Sequence, residues 1–448
     1  MSSAGDGWPW QEPPASEAVD TVSITPGPPL TGRVRVPGDK SISHRALLLA
    51  ARGEGTSLLR GLSDGDDVRR TAVAIAASGA GVVPVSAGTV SAGTVRVEGG
   101  LARLHEPEMP LDLGNSGTGM RLLAGWLAAF PWFAVLHGDA YLARRPMDRI
   151  AVPLRAMGAT VDGRDGGRLP PLAVRGGGLR GIDYRLPVPS AQVKGAVLLA
   201  GLGANGPTTV REGTVVRAHT EELLQAAGAR VEVTGDGSVV TVHPGPLDPL
   251  DLTVPGDPSQ AAFWVVAACI VPGSDVTVED VYIGRGRAGF LDVLRRMGAD
   301  IETTTGGATT ADLRVRSRSL HATDVGGDEV ASLVDEIPVL AVAAACADGV
   351  TTFADAQELA IKETNRIATT TAALRALGAR VEPRDDGLVV AGGGHLRGAE
   401  MDSGGDHRIA MAAAVGALAA SGPSRVRGWG AVATSYPGFI GDLGELQA

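Results

Sequence analysis

Lysine is rare enough in this chain to mark positions. Of 40 basic residues only Lys40, Lys194 and Lys362 are lysines, and each lies in a polar, motif-like stretch. An ammonium is a compact charge whose pKa responds to its surroundings, whereas a guanidinium is a fixed planar cation that suits carboxylate and phosphate oxygens. Residues 36–45 (VPGDKSISHR) place a Pro-Gly turn and a capping Asp39 or Ser41 ahead of a helix start that carries Lys40, Ser41, Ser43, His44 and Arg45. Free N–H groups at a helix start, with two full positive charges beside them, form a natural site for a phosphate or carboxylate. A capped helix with solvated charges would use the same residues, so this stretch needs company.

Company is present. Residues 114–121 (GNSGTGMR) are a Gly-rich loop running into a helix, the physics of a phosphate cradle without the Walker spacing. Residues 143–148 (ARRPMD) set two arginines before a proline, and residues 190–194 (SAQVK) offer a hydroxyl, an amide and an ammonium. Asp335 and Glu336 precede Pro338, and Asp406, His407 and Arg408 open a later apolar run. Residues 361–366 (IKETNR) pack three charges into one predicted helical turn, with Lys362 and Arg366 four apart on one face and Glu363 beside them.

The elements that must hold these residues repeat. Alanine- and leucine-rich helices are predicted from near Arg45, Arg121, Lys194, Ala262, Pro338 and Arg408, so the polar groups gather at six helix starts. A Gly-Ala pair that ends an amphipathic helix and precedes a strand recurs at Gly79, Gly158, Gly228, Gly298 and Gly378, with the glycine as C-cap. Strands such as 206–211 and 349–353 fall between the helices, and alternation of this kind predicts an α/β or α+β fold of six units. Residues 36–41 (VPGDKS) are echoed by residues 254–259 (VPGDPS), with three units between the echoes and three after the second. These turns are expected to be the crossings between two three-unit domains with a ligand cleft between them. The domains are 37–254 and 30–36 plus 255–448, and residues 1–29 are read as a flexible tail.

Composition narrows the ligand. A net charge of -10 argues against general nucleic-acid or anionic-membrane binding, so an anionic ligand has to meet a local basic cluster. Aromatic residues at 4% supply no base-stacking surface. Cys269 and Cys346 sit in apolar runs with no zinc spacing and are read as buried free thiols, which fits a reducing cytoplasm. Residues 1–29 lack the pattern of a signal peptide, and the apolar runs 261–271 and 337–347 are too short to cross a bilayer.

Taken together, PGDKSISHRALLLAA, GNSGTGMR, ARRPMDRI, SAQVKGAVLLAGL, DEIPVLAVAAA, IKETNRI, GDHRIAMAAA and ATSYPGF resemble, in order and spacing, the motifs of the 5-enolpyruvylshikimate-3-phosphate synthase family over about 30–446. The resemblance implies a two-domain inside-out α/β barrel of six βαβαββ units, three per domain, with the active site in the interdomain cleft. It implies a cytoplasmic, monomeric enolpyruvyl (carboxyvinyl) transferase acting on phosphoenolpyruvate and shikimate 3-phosphate, with no metal or organic cofactor. By the same resemblance Asp335 is the base for the acceptor hydroxyl, and Glu363 and Lys40 exchange protons with the methylene carbon and the bridging oxygen. Lys40, Ser41, Arg45, Ser190, Ala191, Gln192, Arg217, Asp335 and Lys362 would hold shikimate 3-phosphate. Lys40, Gly117, Arg145, Gln192, Arg366 and Arg408 would hold phosphoenolpyruvate, and the small Gly117 would go with inhibition by glyphosate.

Four positions depart from the family pattern. Asn365 stands for an aspartate expected to orient Arg366 or Lys362, and residues 216–218 (VRA) lack a hydroxyl and a carboxylate beside Arg217. Ser116 replaces a common alanine, and Thr434 occupies the place of a lysine found in some members. Two other readings share the motifs: a sister transferase that uses UDP-N-acetylglucosamine, whose reactive cysteine would fall at Ala140, and a non-catalytic ligand-binding homologue.

Overall fold

In each half of the molecule three apolar helices pack together as a core with sheets and amphipathic helices around it. The computed structural model describes residues 20–85 and 93–448. One core contains the helices Lys40–Arg52, Gly117–Ala128 and Ala191–Gly201; the other contains Pro258–Ile270, Ile337–Cys346 and His407–Leu418. These helices begin one to five residues earlier than the sequence suggests, which brings the polar cap residues into their first turns. They are buried nearly all round, because a run such as IPVLAVAAAC has no polar face to offer water. Small residues let them approach closely: a side chain on Gly125 would put its Cβ 2.2 Å from the Ala196 carbonyl oxygen.

Five four-stranded sheets and one three-stranded sheet occur among the described residues. Each four-stranded sheet follows one plan, seen in the second unit. Leu111–Asp112 pairs parallel with Phe133–His137, and Leu169–Arg175 lies antiparallel between Phe133–His137 and Thr160–Gly163. The glycines that end the amphipathic helices all adopt positive φ, from 74° at Gly228 to 111° at Gly158, as a left-handed C-terminal turn requires.

Two sheets join strands that flank the crossings. Asp251–Thr253, just before the second crossing, pairs with Gly55–Arg60 within the same half. Thr31–Val34, before the first crossing, pairs with Asp275–Tyr282, after the second, so one half takes its first strand from across the crossings. The echoed turns are hydrogen-bonded to one another: Asp39 N donates to Pro255 O at 2.8 Å, and Asp257 N donates to Pro37 O at 2.9 Å. Gly38 and Gly256 form the bridge between them.

The tail assignment needs correction at its C-terminal end. Thr21–Ile24 forms a strand antiparallel to Ser424–Arg427 and completes the last sheet, with Ile24 and Leu30 buried in the core. The last unit ends in the helix Phe439–Leu446 and has no hairpin of its own, so the start of the chain supplies the missing strand. Residues 1–19 of the expected tail lie outside the described residues. Cys269 is buried and Cys346 only partly so; both are unpaired, and burial pushes both thiols up to about 12. No helix of the described residues is long and apolar enough to cross a membrane.

Candidate active site

The helix starts of the two halves face a shared cleft of 390 Å³. One half contributes Arg145, Ser190, Ala191, Gln192 and Arg217 to its lining; the other contributes Asp335 and Lys362. Ser190 caps the helix Ala191–Gly201 by accepting from Val193 N, which aims that helix start at the cleft. Gln192 is oriented at both ends of its amide. Its Oε1 accepts from Arg121 at 2.6 Å, and its Nε2 donates to Thr118 Oγ1 at 2.8 Å.

Asp335 is the node of the site. Arg217 reaches its Oδ2 from the opposite half at 2.7 Å, while Lys362 and Arg366 lie 3.3 Å and 3.2 Å from its Oδ1. Arg408 donates to its backbone carbonyl at 3.3 Å. Burial pushes the Asp335 carboxyl up, but Lys362, Arg408, Arg217 and Arg366 outweigh burial and hold it well below the usual carboxylate range. Glu363 behaves alike: burial raises it, and Arg145, Arg366 and Lys40 bring it well down. Its oxygens meet Arg145 at 3.1 Å and Arg366 at 2.5 Å, so it too joins the two halves.

The remaining cations stand behind the cleft lining. Lys40 is the first residue of its helix, with Nζ 3.0 Å from Asp67. Arg366 takes Asp406 at 2.8 Å, and Arg408 lies 3.6 Å from Glu336. Gly117 begins a helix directly against the Arg145 guanidinium; a Cβ there would lie 2.7 Å from Arg145 Cζ.

Several expectations change. Lys362 and Arg366 do not share a helical face, because a 3-10 turn ends at Ile361 and the next helix starts at Arg366; they meet at Asp335 around a bend at residues 362–364. Arg45 does not line the cleft. It is 2% exposed and spends its guanidinium on Thr220 Oγ1 and on the carbonyls of Ser41 and Ala191, so it fixes residues of the site from beneath. Lys194 lies in the apolar interior with Glu212 at 3.1 Å and Glu221 at 2.8 Å, away from the cleft. Asn365 caps the helix Arg366–Ala376 by accepting from Ala368 N, and Asp406 is the residue that orients Arg366. Ser116 caps the Gly117 helix, accepting from Gly119 N at 3.0 Å. Thr434 lies in a separate groove with Gly114 and Asn115.

Sequence reasoning passed over Arg121, Asp67 and Arg149. Arg121 was visible as the end of a Gly-rich motif, and its role in holding Gln192 follows only from the fold. Nothing near Asp67 distinguishes it from a solvated helix-start acid until Lys40 is set against it. Arg149 lines the cleft from the first turn of the helix Asp148–Met157, and in the sequence it is only the last cation of ARRPMDRI.

A family model for EPSP synthase (3-phosphoshikimate 1-carboxyvinyltransferase) matches residues 24–443. Proteins named 3-phosphoshikimate 1-carboxyvinyltransferase from Gloeobacter violaceus and Roseiflexus sp. are 50% and 49% identical to the chain, over 95% of it and 98% of each relative. Among solved structures, EPSP synthase from Acinetobacter baumannii superposes with a TM-score of 0.84 at 39% identity, covering 95% of this chain and 98% of that one. The enolpyruvyl transferase NikO from Streptomyces tendae, 21% identical, shares the fold with a TM-score of 0.77 over 95% and 97% of the two chains.

Proposed function

The chain belongs to the EPSP synthase family, and from that premise we propose how its cleft carries out the transfer. The enzyme moves the enolpyruvyl group of phosphoenolpyruvate to the 5-hydroxyl of shikimate 3-phosphate and releases phosphate, a step of the shikimate pathway in aromatic amino acid biosynthesis. The chemistry requires a proton on the methylene carbon, attack of the hydroxyl oxygen on C2, and loss of phosphate from the tetrahedral adduct as the methylene proton leaves again. Acid–base groups set among anion clamps are what such a sequence needs.

In our reading Asp335 takes the 5-hydroxyl proton. Glu363 and Lys40 carry the proton to and from the methylene carbon and assist the departing phosphate. Ser190, Ala191, Gln192, Arg217 and Lys362 hold shikimate 3-phosphate, with Ser41 and Arg45 supporting that wall. Lys40, Arg145, Arg366 and Arg408, with backbone at Gly117, hold phosphoenolpyruvate, and glyphosate competes there. The observation that carries this reading is the shared carboxylate of Asp335, held by Arg217 from one half and by Lys362 and Arg366 from the other. One acid thus touches cations assigned to both substrates. Two domains, 37–254 and 30–36 plus 255–448, are part of the proposal and are supported by the two separate cores. So is a cytoplasmic location, supported by two unpaired cysteines.

The test is phosphate release from phosphoenolpyruvate with shikimate 3-phosphate, beside a reaction containing UDP-N-acetylglucosamine. Release with shikimate 3-phosphate alone is expected, and Asp335→Asn should lower kcat by about 10²–10⁴ while the protein still binds both substrates. Release with the nucleotide sugar, or an Asp335→Asn variant of normal kcat, would overturn the reading.

A further inference from the structure

Arg287 lies outside every stretch assigned to substrate, yet it occupies the point where the two crossings meet. Its side chain is 1% exposed, and those of Asp39, Asp257 and Glu336 around it are 0%, 5% and 0% exposed. Nη2 donates to Asp39 Oδ2 at 3.0 Å and to Asp257 Oδ1 at 2.6 Å. Nη1 donates to Ser259 Oγ at 3.1 Å, and that hydroxyl donates to Glu336. Glu336 Oε1 itself lies 3.8 Å from Nη1. A single guanidinium therefore stands among three buried carboxylates, one from each echoed turn and one from the residue next to Asp335.

Those carboxylates hold the site. Asp39 caps the helix that begins with Lys40, accepting from Ile42 N at 2.9 Å. Asp257 crosses the junction and accepts from Lys40 N itself at 3.1 Å, while its other oxygen accepts from Ser259 N at 2.8 Å. Glu336 adjoins Asp335 and lies 3.6 Å from Arg408. The guanidinium fork thus joins the backbone of Lys40, on one wall, to Arg408 and Asp335 on the other. A lysine could not do the same, since one ammonium has no planar fork to span both aspartates and the serine. Burial alone would lower the basicity of Arg287, but Asp39, Asp257 and Glu336 raise it above the ordinary value, so its charge is permanent.

We propose that Arg287 is a positioning residue for phosphoenolpyruvate: it sets Lys40 and Arg408 at their mutual distance across the cleft without touching substrate. The proposal rests on the reading above that these two cations hold phosphoenolpyruvate. Ser190 and Gln192 are held by Val193, Arg121 and Thr118 and not by the Arg287 cluster, so the shikimate 3-phosphate affinity they carry should be spared. Arg217 is nearer, its backbone lying against Gly286, and the calorimetric Kd reads whether it moves. A shift of the clamp by a fraction of an ångström should cost phosphoenolpyruvate turnover about 10–100-fold in kcat/KM.

The experiment compares Arg287→Lys, Arg287→Gln/Asp39→Asn and Arg408→Gln, measuring kcat and KM for phosphoenolpyruvate, the Kd for shikimate 3-phosphate by calorimetry, and thermal stability. Arg287→Lys should lose kcat/KM for phosphoenolpyruvate with the shikimate 3-phosphate Kd unchanged. Beside Arg287→Gln alone, the double variant leaves two of these buried carboxylates without their cation in place of three; it should regain part of the thermal stability and none of the phosphoenolpyruvate kinetics. Equal losses for both substrates, or kinetics restored along with stability, would make Arg287 a structural ion only and overturn the proposal. Raised phosphoenolpyruvate KM in Arg408→Gln beside normal kinetics in Arg287→Lys would overturn the proposal alone. Normal kinetics in Arg408→Gln would remove the clamp reading and the proposal with it.

Discussion

A carboxylate ringed by cations is ionised at neutral pH and is, for the same reason, a weak base. Asp335 is in that position, with Arg217, Lys362, Arg366 and Arg408 around it. On the proposed assignment the phosphate and carboxylate of shikimate 3-phosphate would compete for Arg217 and Lys362, and each cation they engage would weaken the hold on Asp335. Occupation of the acceptor site should therefore raise the pKa of the base just when its proton is to be taken. Carbon NMR of the labelled carboxyl is expected to show Asp335 titrating at higher pH with shikimate 3-phosphate bound than without it. No movement on binding would mean that the cations stay with Asp335 and that another group takes the proton. Gly117 and Arg145 make the complementary point on the side proposed for phosphoenolpyruvate, where a missing side chain leaves room for the guanidinium.

At the scale of single elements, capping and burial explain departures that the motif pattern made look functional. Asn365 serves the backbone of its own helix, where asparagine and aspartate are comparable caps. Asn365→Asp should leave kcat/KM unchanged and raise stability by about 0.3–1 kcal/mol through the helix dipole, measured by urea unfolding beside steady-state kinetics. Lys194 is the opposite case: a lysine in a motif-like stretch whose ammonium serves the core. Its partners Glu212 and Glu221 would be left as buried, uncompensated charges by Lys194→Met, a loss of about 3–5 kcal/mol. Urea unfolding should show that loss, with turnover per folded molecule little changed and with much of the stability returned by adding Glu221→Gln.

Over the whole molecule, three imidazoles give stability a dependence on mild acid. His44, His219 and His407 are buried, and burial first, then nearby cations such as Lys40 and Arg45, hold each well below its ordinary pKa. In the unfolded chain these groups take up protons below about pH 6.5, while in the folded chain they stay neutral. The unfolded state then binds more protons, so stability is full above that pH and falls as pH drops toward the folded pKa values. Asp335 and Glu363, depressed in the fold, add a second loss below about pH 4. The urea midpoint should fall between pH 7.5 and 5.5 and fall again below pH 4; a flat profile over the first interval would contradict the histidine assignment.

Much of this was legible in the chain. Helix starts, C-cap glycines and the echoed turns are local matters of spacing and backbone preference, so the sequence by itself determined the six-unit plan, the crossings and the polar sets at Lys40, Ser190, Asp335, Glu363 and Arg408. Pairings between remote segments have no local signature. That Thr21–Ile24 closes the last sheet, that Arg45 turns beneath the cleft and that Lys194 belongs to a buried triad depend on which surfaces the packed helices leave open. Arg287 shows the limit most clearly: among 37 arginines nothing in its neighbourhood distinguishes it. Only the meeting of the two crossings brings Asp39, Asp257 and Glu336 close enough to require a buried cation between them.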